Sequence, residues 1–181
     1  QGFECVEVAC WPEEKAERRY AGVSHIDAER VNQDDEYAAH IMAYAEKAGV
    51  EISALAYYPN VMTADKEKRN AAIEHLKNVI RASKKLGVGM VTTFIGRDQT
   101  KNVRENLGLV KEIWPPIIKL AEVCDVKIAI ENCPMLFGEE QWPGGQNLMT
   151  TPSIWREVFK ILDSDNLGIN YDPSHFIWQM I

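Results

Sequence analysis

Three helix-to-strand junctions recur at a fixed interval in this chain. They read KAGVEI, KLGVGM and CDVKI, and they set Ile52, Met90 and Ile128 38 residues apart, with Ile169 following 41 residues later. Short apolar runs stand at these points: residues 51–57 (EISALAY), 89–95 (GMVTTFI), 127–130 (KIAI) and 167–171 (LGINY), with a fifth at 3–8 (FECVEV). Near-continuous apolarity over so few residues suits strands buried on both faces of a parallel sheet. Regular βα units with right-handed crossovers give either an open doubly wound sheet or a (β/α) barrel. Periodicity alone does not choose between them.

The segments between the runs carry helix punctuation. Asp34-Asp35 opens a helix that Gly49 closes, and Asp65 opens a longer one closed by Gly87, with Ile73, Leu76, Ile80 and Leu86 at helical spacing. From about Asn102 a third carries Val103, Leu107, Val110, Trp114, Ile117 and Ala121, and Pro115-Pro116 must kink or split it. Thr151-Pro152 opens the last, which presents Trp155, Val158, Phe159 and Leu162. These stripes read as core.

Length then bears on architecture. Eight units of about 40 residues would need roughly 320, and even a lean barrel takes about 200, whereas the chain has 181. The expectation is a single domain over residues 1–181, either a complete five-stranded doubly wound sheet or a piece of a larger barrel. With 46% apolar and 26% charged residues the composition is globular. A net charge of −7 argues against nucleic acid as a partner, which calls for a basic face. No apolar run approaches the roughly 18 residues of a membrane span. Cys5, Cys10, Cys124 and Cys133 form no CxxC pair, so buried thiols in a reducing compartment, and a cytoplasmic location, are expected.

In both architectures chemistry collects past the carboxyl ends of the strands. Glu131 ends KIAIE, a carboxylate on an apolar strand where an unpaired charge is costly. Asp172 ends LGINYD one strand later. Two acids at the mouths of consecutive strands stand about one strand spacing apart, close enough to share a divalent cation; without one they repel. The simpler readings are a hydrogen-bonded structural Glu131, an Asp-Pro turn at Asp172 and a loop histidine at His175. Glu7 reads as an interior or capping acid. His25, in the polar loop AGVSHID, either folds over the mouth or stands in solvent. Arg97 is placed to clamp a phosphate or a sugar hydroxyl, or else pairs with Asp98. Trp11 follows the first run, and Trp142 belongs to the long Gly-rich loop after Glu131; either could wall a pocket. His40 and His75 lie within helices as surface or packing residues. No GxGxxG, GxxxxGK[ST] or GxSxG occurs.

Taken in order, GFECVEVACWP, YAGVSHID, EISALAYYPN, TFIGRD, IAIENCPM, WPGG and NYDPSHFIWQ resemble the sugar phosphate isomerase/epimerase family of xylose isomerase-like, AP-endonuclease-2-like TIM barrels. The resemblance covers essentially the whole chain. It implies a (β/α)8 barrel with one divalent metal at its mouth (Mn, Mg, Co or Zn), held by Glu, Asp, His and Glu from four strands. By that likeness Glu131 is the first Glu, a ligand that also serves as acid/base, Asp172 is the ligand Asp, and His175 is the nearby histidine that contacts substrate oxygen. The runs match family strands two to six, so the abrupt start at Gln1 reads as a missing first strand, and the remaining ligands would lie beyond Ile181.

The expected activity is isomerisation or epimerisation of a small sugar or sugar phosphate by metal-assisted proton transfer next to a carbonyl, with Glu131 and His175 as the acting residues. Trp11, Trp142, Arg97 and His25 would contact substrate. The rivals are a non-catalytic carbohydrate-binding or interaction module and an AP-endonuclease-like hydrolase, the latter disfavoured by the acidic charge and only four histidines. Missing strands would leave two sheet edges open, which favours a homo-oligomer.

Overall fold

A computed structural model of the chain describes residues 2–12, 23–136 and 144–179. Its five strands are β1 (Cys5–Ala9), β2 (Glu51–Ala56), β3 (Met90–Thr93), β4 (Lys127–Glu131) and β5 (Leu167–Asn170). Among the described residues seven helices accompany them: α1 (Ala28–Gln33), α2 (Asp35–Ala48), α3 (Lys66–Leu86), α4 (Val103–Ile113), α5 (Pro115–Cys124), α6 (Pro152–Leu162) and α7 (Ser174–Gln179).

The caps explain the boundaries. Asp34 accepts from the Tyr37 amide and Gly49 ends α2 at φ 69°; Asp65 accepts from Glu67 and Lys68, and Gly87 ends α3 at φ 71°. Asn102 and Glu105 form a reciprocal capping box on α4. Pro115-Pro116 splits the predicted long helix at Trp114, because proline supplies no amide to continue the ladder. Thr151 sits at the N-cap of α6 without accepting an amide; its hydroxyl meets Ser153 Oγ at 3.0 Å instead. Two short helices have no counterpart in the periodicity: α1, capped by the Asp27 carboxylate, and α7, which takes His175 out of the loop expected for it.

All four strand pairings are parallel and the order is β1-β2-β3-β4-β5. This order settles the architecture. A doubly wound sheet needs a switch point where strand order reverses, which places helices on both faces. Sequential order with one crossover hand puts them on one face only, as in a barrel. In register, Val8, Leu55, Val91, Ile128 and Leu167 form one row across the sheet, and the last four are buried under the helices, where α3 packs on β2 and β3 and α5 on β4. The next row, Ala9, Ala56, Thr92, Ala129 and Gly168, turns the other way and is built of small residues.

The strands are therefore not buried alike on both faces. β4 alternates: Ile128 and Ile130 are fully buried, whereas Ala129 and Glu131 are half-buried. The sheet also curves. Strands β2 and β5 are three steps apart, about 14 Å in a flat sheet, yet Asn170 Nδ2 on β5 donates to Tyr58 Oη, just beyond β2, at 3.4 Å. Only a sheet rolling towards a barrel brings them together. The chain thus forms five consecutive strands of an incomplete (β/α) barrel, and the doubly wound alternative is set aside.

The helix-side core is continuous, from Val31 of α1 through Leu76, Val79 and Ile80 of α3 to Trp114, Ile117 and Val158. Val103 is the exception in the α4 stripe, being 40% exposed. Trp114 is fully buried, and its indole N–H donates to Ile95 O at 2.9 Å. Trp114→Ala is expected to cost about 3–5 kcal/mol through the cavity and the unpaired carbonyl. Urea unfolding measures this, and a loss under about 1 kcal/mol would show the residue dispensable. No helix among the described residues is long and apolar enough to cross a membrane.

Candidate functional site

Glu131 is the last residue of β4, on the inward row two positions beyond Ala129, and Asn170 is its register partner on β5. Past β5 the chain turns at Asp172, whose Oδ1 accepts from the Ser174 amide at 2.8 Å, and enters α7. That turn brings His175 back over the strand end. Its Nε2 stands 3.2 Å from Glu131 Oε1 and 3.4 Å from Asp172 Oδ2, so both acids converge on one imidazole nitrogen. The Asp-Pro turn and the acidic cluster are one structure rather than alternatives.

Buried asparagines hold the cluster. Asn132, fully buried, donates to Asp172 O at 2.9 Å and accepts from the Asp172 amide at 2.8 Å, tying the two strand ends together. Asn147 Nδ2 donates to both Glu131 O and Cys133 O at 2.7 Å, which fixes the backbone on either side of Asn132. Gly145 packs so close to this segment that a side chain there would overlap Pro134 O.

The electrostatics differ between the two acids. Burial pushes the Glu131 carboxyl above the ordinary glutamate value, with repulsion from Glu7 and Asp172 adding to it and His175 opposing. Asp172 is held below its usual value by hydrogen bonds from Ser174. Cys133, two residues past Glu131, has its thiol pushed up to about 11, chiefly by burial.

A second polar group lies further inside. Tyr58 Oη donates to Glu7 Oε1 at 3.0 Å and receives Asn170 Nδ2, while its ring packs on Phe94 with centroids 4.7 Å apart. Burial, and then the nearby charges of Glu7 and Glu131, raise its pKa, which keeps the phenol protonated. The interior reading of Glu7 therefore holds, though Glu7 is exposed in this open barrel. The reading of the sequence missed Tyr58. The available signal was strand parity: Tyr57 and Tyr58 point to opposite faces, and Tyr57 packs outward on His75, centroids 4.5 Å apart.

The other sequence-selected residues are dispersed. His25 is exposed beyond the end of β1, and its Nδ1 accepts the Ala9 amide at 3.1 Å, leaving Nε2 outward. Trp11 packs edge-on against Tyr57, with centroids 5.1 Å apart, on the helix side rather than over Glu131. Arg97 does not pair with Asp98. That acid binds Thr100 and Lys101, while the Arg97 guanidinium lies against Gly144 with its Nε buried and without a hydrogen bond. Trp142 lies outside the described residues. His40 is exposed, and His75 meets Cys10 O at 2.7 Å, in keeping with surface and packing roles. Of the four thiols, Cys10 and Cys124 are buried and Cys133 half-buried, but Cys5 is exposed, contrary to expectation, because it opens an edge strand.

The donor set suits a divalent metal. Glu131, Cys133 and His175 each offer a ligand atom within 4.8 Å of the others, an oxygen–sulfur–nitrogen combination known from zinc and cobalt chemistry. A cavity of about 410 Å³ opens beside them, lined by Cys133, Met135, Ser174, His175 and Trp178 among others. A larger depression of about 530 Å³ lies at the opposite, amino-terminal end of the strands, away from this cluster.

Comparison with known proteins agrees with the geometry. The family model described as xylose isomerase-like TIM barrel matches residues 1–180. No curated protein sequence matches the chain. Among solved structures, D-psicose 3-epimerase of Clostridium cellulolyticum H10, solved with D-tagatose, superposes with a TM-score of 0.67 at 18% identity, over 97% of this chain and 55% of its own. The IolI protein, solved with a zinc atom, gives 0.65 at 20% identity, over 97% and 55%. The probable 3-DHS dehydratase AsbF of Bacillus anthracis gives 0.65 at 17%, over 98% and 55%. The chain thus spans about 55% of the length of these structures. Sequential parallel strands, an inward acid at the mouth of β4 and a family match over nearly every residue lead to one conclusion: the chain belongs to the xylose isomerase-like TIM barrel family.

Proposed function

We propose that the protein is a sugar or sugar-phosphate isomerase or epimerase that moves a proton at the carbon next to a carbonyl, with one divalent cation (Mn, Mg, Co or Zn) on Glu131 and Asp172. The observation that carries this reading is the convergence of Glu131 and Asp172 on His175 Nε2, at 3.2 and 3.4 Å, at the carboxyl-terminal mouth of a barrel. Sugar epimerases among the structural neighbours support it.

When bound, the cation would act as a Lewis acid on the carbonyl and hydroxyl oxygens of the sugar. Glu131 takes and returns the proton. His175 orients a sugar hydroxyl. The protonated phenol of Tyr58, between Glu7 and Asn170, offers a further polar contact on the inner wall. Arg97, whose guanidinium lies against Gly144, and His25, whose Nδ1 is taken by the Ala9 amide, are the residues that would meet a phosphate or distal hydroxyl.

Incubation of the protein with ketoses and their phosphates in D₂O, in the presence of each metal, tests this. Deuterium is expected at the carbon adjacent to the carbonyl, by NMR, together with the epimeric or isomeric product. Product formed with loss of water would overturn the reading in favour of a dehydratase. Turnover without deuterium would exclude exchangeable proton transfer.

A further inference from the structure

The proposed function leaves one donor at the mouth unused. We propose that Cys133 Sγ is a ligand of the divalent ion, so that the site selects a thiophilic cation, Zn²⁺ before all, over Mg²⁺ and Mn²⁺. This deepens the metal reading above and rests on it.

Three features of the structure carry the proposal. Cys133 lies two residues past Glu131, the end of β4; both are half-buried while Asn132 between them is fully buried, and their ligand atoms lie on the same side. The Sγ atom, a Glu131 oxygen and a His175 nitrogen are mutually within 4.8 Å. A tetrahedral ion with sulfur at about 2.3 Å and nitrogen or oxygen at about 2.0–2.1 Å needs ligand atoms roughly 3.3–3.6 Å apart. Sγ lies within 4.8 Å of the Glu131 oxygen, so side-chain adjustment of up to about 1.5 Å brings the thiol to that separation. The backbone is also fixed for it: Asn147 pins the carbonyls of both Glu131 and Cys133, and Gly145 presses against Pro134 O.

Among the described residues the thiol is held only by its near neighbour Met135, whose backbone amide hydrogen-bonds to the sulfur. Cys133 forms no disulfide, and its Sγ also meets Met135 Sδ at 3.7 Å, itself a soft atom. It faces the 410 Å³ cavity alongside His175, which supplies a path for the ion. On binding, the S–H bond is exchanged for a sulfur–metal bond and the proton passes to solvent. Thiolate favours Zn²⁺ and Co²⁺ over Mg²⁺, which demands oxygen.

Titration of the metal-free protein with Co²⁺ tests this by absorption spectroscopy. Wild type is expected to show a thiolate-to-cobalt charge-transfer band that Cys133→Ser lacks, and Zn²⁺ affinity should fall at least about tenfold in Cys133→Ser while Mg²⁺ affinity is unchanged. A measurement on wild type alone guards against misfolding of the variant: Zn²⁺, but not Mg²⁺, should slow alkylation of Cys133, with the exposed Cys5 as internal control. Cobalt d–d bands without a charge-transfer band, with Zn²⁺ affinity equal in both proteins, would overturn Cys133 ligation and leave the metal reading standing. No Co²⁺ spectrum and no Zn²⁺ binding in wild type would overturn both.

Discussion

Glu131→Gln is expected to lower proton exchange at the substrate carbon by about 10³-fold and, in the metal-free protein, to raise stability at neutral pH. Both effects come from the same carboxylate. Burial raises its pKa, Glu7 and Asp172 add repulsion, and His175 only partly offsets them. With a folded-state pKa above the unfolded value, the contribution of this group to stability is fully present below the unfolded value and lost as pH rises through the folded one. Glutamine keeps the contact with His175 Nε2 and carries no charge. The variant should therefore unfold at a higher temperature than wild type near pH 8. That gain should vanish as the pH falls below the ordinary glutamate range. Thermal unfolding of metal-free wild type and variant across this pH range measures it. A variant equally destabilised at every pH would mark Glu131 as a structural ion-pair partner of His175 rather than a group held at a cost for function.

The repeat interval made the βα units legible, because turn residues and strand starts are local and recur with each unit. It did not make the sheet order legible, since an open doubly wound sheet and a barrel share the same local units. The decision lies in long-range facts: the sequential pairing, and Asn170 meeting Tyr58 across three strand steps. The site divides in the same way. Glu131 and Asp172 stood out because acids ending apolar runs are conspicuous, and the strand spacing put them together. Cys133 did not, because the four cysteines show no metal-ligand spacing along the chain; His175, beside it in space, is 42 residues away and returns through α7, a helix too short to show periodicity. Trp11 looked like a pocket wall by its place after β1, but its ring packs against outward-facing Tyr57.

Asn132→Leu should separate the two halves of the site. The side chain is fully buried, and its two hydrogen bonds satisfy both the amide and the carbonyl of Asp172. Leucine fills similar space and satisfies neither, so the expected cost is about 2–4 kcal/mol for two peptide groups left unpaired. A second consequence distinguishes tethering from general stability. Asn132 joins the ends of β4 and β5 where Asp172 and His175 meet Glu131; without it the turn before α7 loses its hold on β4. Divalent metal affinity should then fall by about 10–100-fold, the range seen when groups supporting ligands are removed. Asn166 supplies the control. Its Nδ2 donates to Val126 O at 2.9 Å, tying the same two strands at their amino-terminal ends, far from the mouth. Asn166→Ala should destabilise the sheet but leave metal affinity unchanged under conditions where the protein is folded, as isothermal titration can establish. Equal affinity losses in the two variants would mean that the mouth responds to sheet stability as a whole, and the specific role of Asn132 in placing Asp172 and His175 would be lost.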